Sequence, residues 1–128
     1  KTNDIVFDNT GFAICLLRPP GGSMGWEVTR IAKEQGMAVV KWSQSGNVHE
    51  QDPEKIAQNV QKQIVNGKEL EDGDIILLHD TKERMVSAVE LIIPQLLKEG
   101  YQLVTVSELL NLSEEGLEIG KTYHKQEN

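Results

Sequence analysis

Apolar and polar positions along this chain fall into blocks whose period switches between that of a strand and that of a helix. The run Ala13-Ile14-Cys15-Leu16-Leu17 stops at Arg18-Pro19-Pro20-Gly21-Gly22, where two prolines and two glycines end either kind of regular structure. That is a strand entering a loop. After Ser23, an expected N-cap, Met24, Val28, Ile31 and Ala32 recur on one helical face, and Gly36 follows, so the spacing predicts a helix over 24–35. Met37 to Trp42 predicts the next strand, and residues 43–51 read as a polar loop without a period. Asp52-Pro53 opens a second helix, with Ile56, Val60 and Ile64 on one face and Gly67 at its end.

Asp74 to Leu78 is apolar on both faces, as expected of a parallel strand covered on each side, and His79 and Asp80 come at once after it. Met85, Val86, Val89, Ile92, Ile93, Leu96 and Leu97 form the strongest helical stripe, ending at Gly100, with Pro94 as an expected kink. Tyr101 to Val106 reads as a fourth strand, and Ser107 as the cap of a short helix. Strand and helix thus alternate through the chain. The fold class is α/β, with parallel strands, an open or barrel-like sheet and right-handed crossovers. Residues 1–14 show no helical start and read as a cut end, and 110–128 as a charged surface tail.

With 128 residues and 38% hydrophobic content, the chain suits one domain or part of one. Its formal charge of −7 repels phosphate backbones and anionic lipid, which argues against nucleic acid as a partner. No apolar run approaches the roughly 20 residues that span a bilayer, and no signal segment opens the sequence. The single cysteine, Cys15, has no internal disulfide partner, and its apolar neighbours predict a buried thiol.

In parallel α/β architectures, the loops after the strand C-termini converge on one face and carry the chemistry. Arg18, directly after a strand, can orient a carboxylate by two hydrogen bonds, and Gly21 and Gly22 let backbone amides approach a ligand. The plainer alternative is a tight turn with a surface arginine. His79 can exchange protons near neutral pH, or it is a strand-end histidine satisfied by hydrogen bonds. Asp80 reads as a cap for the next loop or helix. His49 and His124 are weaker candidates, in a polar loop and in the tail. Trp26 and Trp42 either stack on a sugar or pack; packing is the expectation for Trp42, and Trp26 stays open. HExxH, paired CxxC, GxSxG, Walker and GxGxxG patterns do not occur, and the three histidines do not make a metal site.

Taken together, Leu16-Leu17-Arg18-Pro19-Pro20-Gly21-Gly22, Val39-Val40-Lys41-Trp42-Ser43, Gly73 to Asp80 and the run from Ile92 to Leu110 resemble the C-terminal part of the polysaccharide deacetylases. This is the NodB-homology domain of carbohydrate esterase family 4. The resemblance implies a distorted, TIM-like (β/α) barrel and metal-dependent hydrolysis of N-acetyl groups on an amino-sugar polymer, peptidoglycan or chitin-like. It implies an extracellular or cell-wall location. It implies a divalent metal, usually zinc, on one aspartate and two histidines, with a second aspartate as base.

Carried over by motif, Arg18 matches the arginine that orients the base. Gly21, beside Pro20, lies where a backbone amide stabilises the oxyanion. Leu77 matches the leucine of the acetyl pocket, and His79 the general acid. Trp42 belongs to the substrate-binding set. The Asp-Asp and His-x-x-x-His motifs that hold the metal are absent, so the ligands are expected outside this chain, on an N-terminal fragment or a second chain that completes the barrel. Val48 and His49 stand where the family has Asp-Trp. The expectation is therefore a deacetylase of which this chain supplies the general-acid half; a catalytically inactive carbohydrate-binding member of the fold is the alternative.

Overall fold

The computed structural model describes residues 1–46, 49–62, 69–111 and 118–126. In chain order the elements are α1 (Thr2–Thr10), β1 (Leu16–Leu17), α2 (Trp26–Glu34), β2 (Ala38–Val40), β3 (Gln44–Ser45), α3 (Pro53–Lys62), β4 (Ile76–Leu77), α4 (Glu83–Lys98), α5 (Val106–Leu109) and β5 (Thr122–Tyr123), with a 3-10 turn at Pro20–Gly22. Every ladder between named strands is parallel. The chain divides into two units: Lys1–Lys41 with the described part of Leu112–Tyr123, and Trp42–Asn111 with the described part of His124–Asn128.

In the first unit, β2 is flanked by β1 and β5, with Leu16 opposite Ala38 and Val40 opposite Tyr123. The β-branched pair Val39 and Val40 suits a central strand, and all of β2 is buried. Ala32 of α2 closes over Met37 and Val39, with Ile14 and Leu17 packed against them. Helix α2 starts at Trp26 behind Gly25, not behind Ser23, and Gly36 ends it with φ 70°. Met24 therefore lies before the helix.

In the second unit, β3 and β4 pair with Gln44 opposite Ile76 and Ser45 opposite Leu77. Asp52 opens α3 as its sequence suggests: its carboxylate accepts the Glu54 N–H at 3.0 Å and its carbonyl the Ile56 N–H at 3.0 Å. Ile56, Ala57 and Val60 of α3 meet Met85, Ala88, Ile92 and Leu96 of α4. Fully burying a valine, isoleucine, leucine or methionine contributes about 1.5–3 kcal/mol each, so Ile56, Val60, Met85, Ile92 and Leu96 anchor the unit and support β4. Ile64 and Gly67 lie outside the described residues.

Several expectations are corrected. Residues 2–10 form a helix, α1, closed by Gly11 in the left-handed conformation; it buries none of its residues, so it leaves no apolar stripe to read. β3 lies inside the stretch read as a loop. Its Gln44, only 6% exposed, donates its side-chain amide to Asp74 at 3.3 Å, so the strand is buried but polar. Tyr101 to Thr105 belongs to no ladder among the described residues, and Leu103 and Val104 are exposed. Thr105, not Ser107, caps α5, in a reciprocal capping box with Glu108. Lys82 stands at the N-cap of α4 without a side-chain cap, so Asp80 does not cap it. That helix continues through Pro94 to Lys98. In the expected tail, Tyr123 is buried in β5 because Val40 pairs with it and Lys121 covers its ring at 5.0 Å. Cys15 is exposed: β1 is a sheet edge, and Ile14 and Leu17 do the packing on either side of it.

Candidate active site

Within a sheet, parallel strands align their C-terminal ends, and the candidate residues lie just beyond the end of β1 in the first unit and of β4 in the second. In the first unit, β1 ends at Leu17 and Arg18 comes next, exposed, with no hydrogen bond or ion pair among the described residues. A guanidinium so placed is available to a carboxylate. Pro19 and Pro20 then force the turn. The Gly22 N–H donates to the Pro19 carbonyl at 3.0 Å and the Ser23 N–H to the Pro20 carbonyl at 3.4 Å. Gly21 has φ 64° and ψ 5°, a left-handed conformation that side-chain-bearing residues resist, and among the described residues its N–H has no acceptor. This N–H is free for an anionic oxygen.

In the second unit, Leu77 ends β4, half-buried, and its carbonyl accepts the Gly46 N–H at 3.2 Å. His79, also half-buried, has no hydrogen-bond partner among the described residues. Trp42 is half-buried and precedes Ser43, which exchanges backbone and hydroxyl bonds with Ile75. With Gln44 opposite Ile76, Trp42 flanks the Asp74 end of the pair, roughly 17 Å of strand from His79 at about 3.3 Å per residue. Leu77 and His79 share a strand end; Trp42 is at the other.

The loop after β3 is held in place by residues that the pattern does not single out. The Glu50 carboxylate accepts the Gln51 N–H at 2.8 Å and the Asp52 N–H at 3.1 Å. The Asp52 and then the Gln51 amide hold its carboxyl below the usual range. Arg84, from the start of α4, donates Nε–H to the Glu50 carbonyl at 2.9 Å, tying that loop to the segment after His79. Arg84 is the second residue of α4, seven residues beyond β4, and nothing in its spacing marks it in the sequence. His49 is exposed, and Val48 lies outside the described residues. A cavity of about 240 Å³ lies at the other end of β4, lined by Leu70, Asp74, Ile75, Tyr101, Leu103 and Val104 among others, and neither Leu77 nor His79 lines it. Among the described residues, no three His, Cys, Asp or Glu side chains cluster to hold a metal ion. No described helix is long and apolar enough to cross a membrane.

No protein-family model matches the chain. It is similar to a peptidoglycan-N-acetylglucosamine deacetylase of Bacillus cereus, 44% identical over 100 residues, covering 74% of this chain and 45% of the relative. Among solved structures it is similar to the T48 deacetylase with substrate, at a TM-score of 0.75 and 28% identity, covering 95% of this chain and 56% of that one. A family 4 acetyl xylan esterase from Clostridium thermocellum in complex with a cobalt ion matches at a TM-score of 0.72 and 25% identity, covering 97% of this chain and 59% of that one. So does a family 4 pseudoenzyme from Bacillus anthracis, again at 0.72 and 25%, covering 96% and 41%. The chain spans about half the length of these proteins. Its parallel strands and intervening helices are those of the (β/α) barrel fold that such structures share. The chain belongs to the polysaccharide deacetylases of carbohydrate esterase family 4, within the NodB-like domain.

Proposed function

We propose that this chain contributes the general-acid half of the active site in a metal-dependent N-deacetylase acting on an amino-sugar polymer, peptidoglycan or chitin-like, in or beyond the cell wall. The observation that carries the reading is His79 just beyond the end of β4, without a hydrogen-bond partner among the described residues, in a chain 44% identical over 100 residues to a named peptidoglycan deacetylase. In this reading Leu77 supplies an apolar wall for the acetyl methyl. The Gly21 N–H, set by the Pro20 turn, donates to the oxygen that gains charge as the acetamide carbon becomes tetrahedral. His79 gives its proton to the departing nitrogen, which then takes the C–N bonding pair and leaves as a neutral amine rather than as an amide anion. Arg18 orients the carboxylate that serves as base.

The described residues do not fit a metal site, so this reading assigns the ligands, one aspartate and two histidines by the family resemblance, to segments outside this chain, together with the base. Those segments complete the barrel. With the full-length protein, acetate release from N-acetylglucosamine hexamer is expected to be abolished by a chelator and restored by zinc or cobalt. His79→Ala is expected to lower kcat by about 10²–10⁴ with hexamer binding retained. Unchanged turnover in that variant removes the assignment.

A second reading, a carbohydrate-binding member without catalysis, is supported by the residues at positions 48 and 49 and by the similarity to a family 4 pseudoenzyme. It predicts hexamer binding by the wild-type protein with no acetate release under any metal.

A further inference from the structure

Trp26 is a large apolar side chain left 74% exposed at the first position of α2, and the core of its unit is built without it. Leaving an indole in water forgoes the stabilisation that its burial would give, so packing within the unit does not explain it. Its surroundings are organised. One turn further along α2, the Arg30 guanidinium lies 5.6 Å from the ring centroid, and its Nη1 is held by Glu34 at 2.6 Å. The ring and the guanidinium thus form one platform, with further donors of the five-donor fork open to a ligand. The chain brings this platform to the β1 loop: Trp26 lies eight residues after Arg18, and the turn at Pro20–Gly22 leads into α2 through Ser23-Met24-Gly25.

We propose that Trp26 and Arg30 form a subsite for a hexosamine unit neighbouring the one that reacts, a proposal that rests on the deacetylase reading. The C–H face of a pyranose ring is apolar and matches an indole face, while its hydroxyls, or the carboxylate of an acidic amino sugar, match the guanidinium fork. A platform already held by the Arg30–Glu34 pair loses little conformational freedom when the sugar arrives. Its consequence is a preference for long glycan chains over short ones.

The test measures acetate release by the full-length protein from N-acetylglucosamine hexamer and dimer, with hexamer binding followed by calorimetry. Trp26→Ala is expected to lower the hexamer-to-dimer ratio of kcat/KM about three- to tenfold, the worth of one aromatic stack, and to weaken hexamer binding by the same factor. Trp26→Phe keeps most of that ratio. Arg30→Gln is expected to weaken binding of glycan strands bearing carboxylates more than binding of the neutral hexamer. A ratio unchanged in Trp26→Ala, or equal losses on hexamer and dimer, overturns the subsite while leaving the deacetylase reading standing. A wild-type protein that neither binds hexamer nor releases acetate overturns both.

Discussion

Gly46 is where the packing beneath the candidate general acid is least forgiving. Its N–H donates to the Leu77 carbonyl at 3.2 Å, so the backbone of β3 is drawn close against the end of β4. A methyl group at this position would lie 2.9 Å from Leu78 Cδ2, 3.0 Å from Ile56 Cγ2 and 3.6 Å from the Met85 sulfur. The shortest of these is about 0.6 Å inside the ~3.5 Å at which carbon atoms begin to attract. Leu78 is half-buried and can rotate away, but Ile56 is fully buried between α3 and α4 and cannot. Overpacking of this kind costs about 1–3 kcal/mol, and replacing glycine by alanine returns about 0.4–1 kcal/mol through the unfolded chain. The net expectation for Gly46→Ala is a loss of about 1–2 kcal/mol. For a urea slope of about 2 kcal/mol/M, the unfolding midpoint falls by roughly 0.5–1 M with the slope unchanged. The double variant with Leu78→Ala is expected to be more stable than the two single losses added together, by at least about 0.5 kcal/mol, because it removes one of the colliding atoms. A Gly46→Ala midpoint at or above wild type, or strict additivity in the double variant, refutes the reasoning.

The local geometry carries three further expected outcomes. Thr105→Ala removes the side-chain acceptor of the Glu108 N–H at 3.3 Å and is expected to cost about 1 kcal/mol, read as faster amide exchange across 106–109. The Thr105 hydroxyl, then its N–H, holds the Glu108 carboxyl below the usual range, as the Asp52 and Gln51 amides do for Glu50. A depressed folded value stabilises above the unfolded value near pH 4.3, and that stabilisation is lost as pH falls through the folded value. Exchange at 49–52 and 105–109 is therefore expected to accelerate on acidification below about pH 4.3, and Glu108→Gln to abolish the effect in α5 alone. Gly21→Ala meets no atom within 4 Å, so its cost is the left-handed backbone alone, about 1–2 kcal/mol, with acetate release reduced as the N–H turns from its aim; full activity removes Gly21 from the proposed oxyanion site.

What the sequence made legible depended on whether burial and polarity coincide. Helices α3 and α4 each bury a stripe, so Ile56, Val60, Met85 and Leu96 could be placed from spacing alone, whereas of the stripe expected in α2 only Ala32 is buried and Ile31 is exposed. α1 buries nothing and β3 buries a glutamine, so neither carries the pattern that announces its kind. Tyr101 to Thr105 has the composition of a strand, but a strand exists only through a hydrogen-bonded neighbour, and composition does not say whether one is present. Arg18 and His79 were legible as candidates because an apolar run that stops at a charged or titratable residue marks the end of a strand, whereas Leu77 was marked only by the family resemblance. Trp26 was not, since an aromatic residue at a helix start looks the same whether it is packed or exposed. For His79, spacing left a satisfied strand end and a catalyst equally open. A half-buried imidazole must exchange its hydrogen bonds with protein, water or ligand, and among the described residues the protein supplies none. The ring nitrogens are thus left to water or to a ligand, and the turnover of His79→Ala separates the two alternatives.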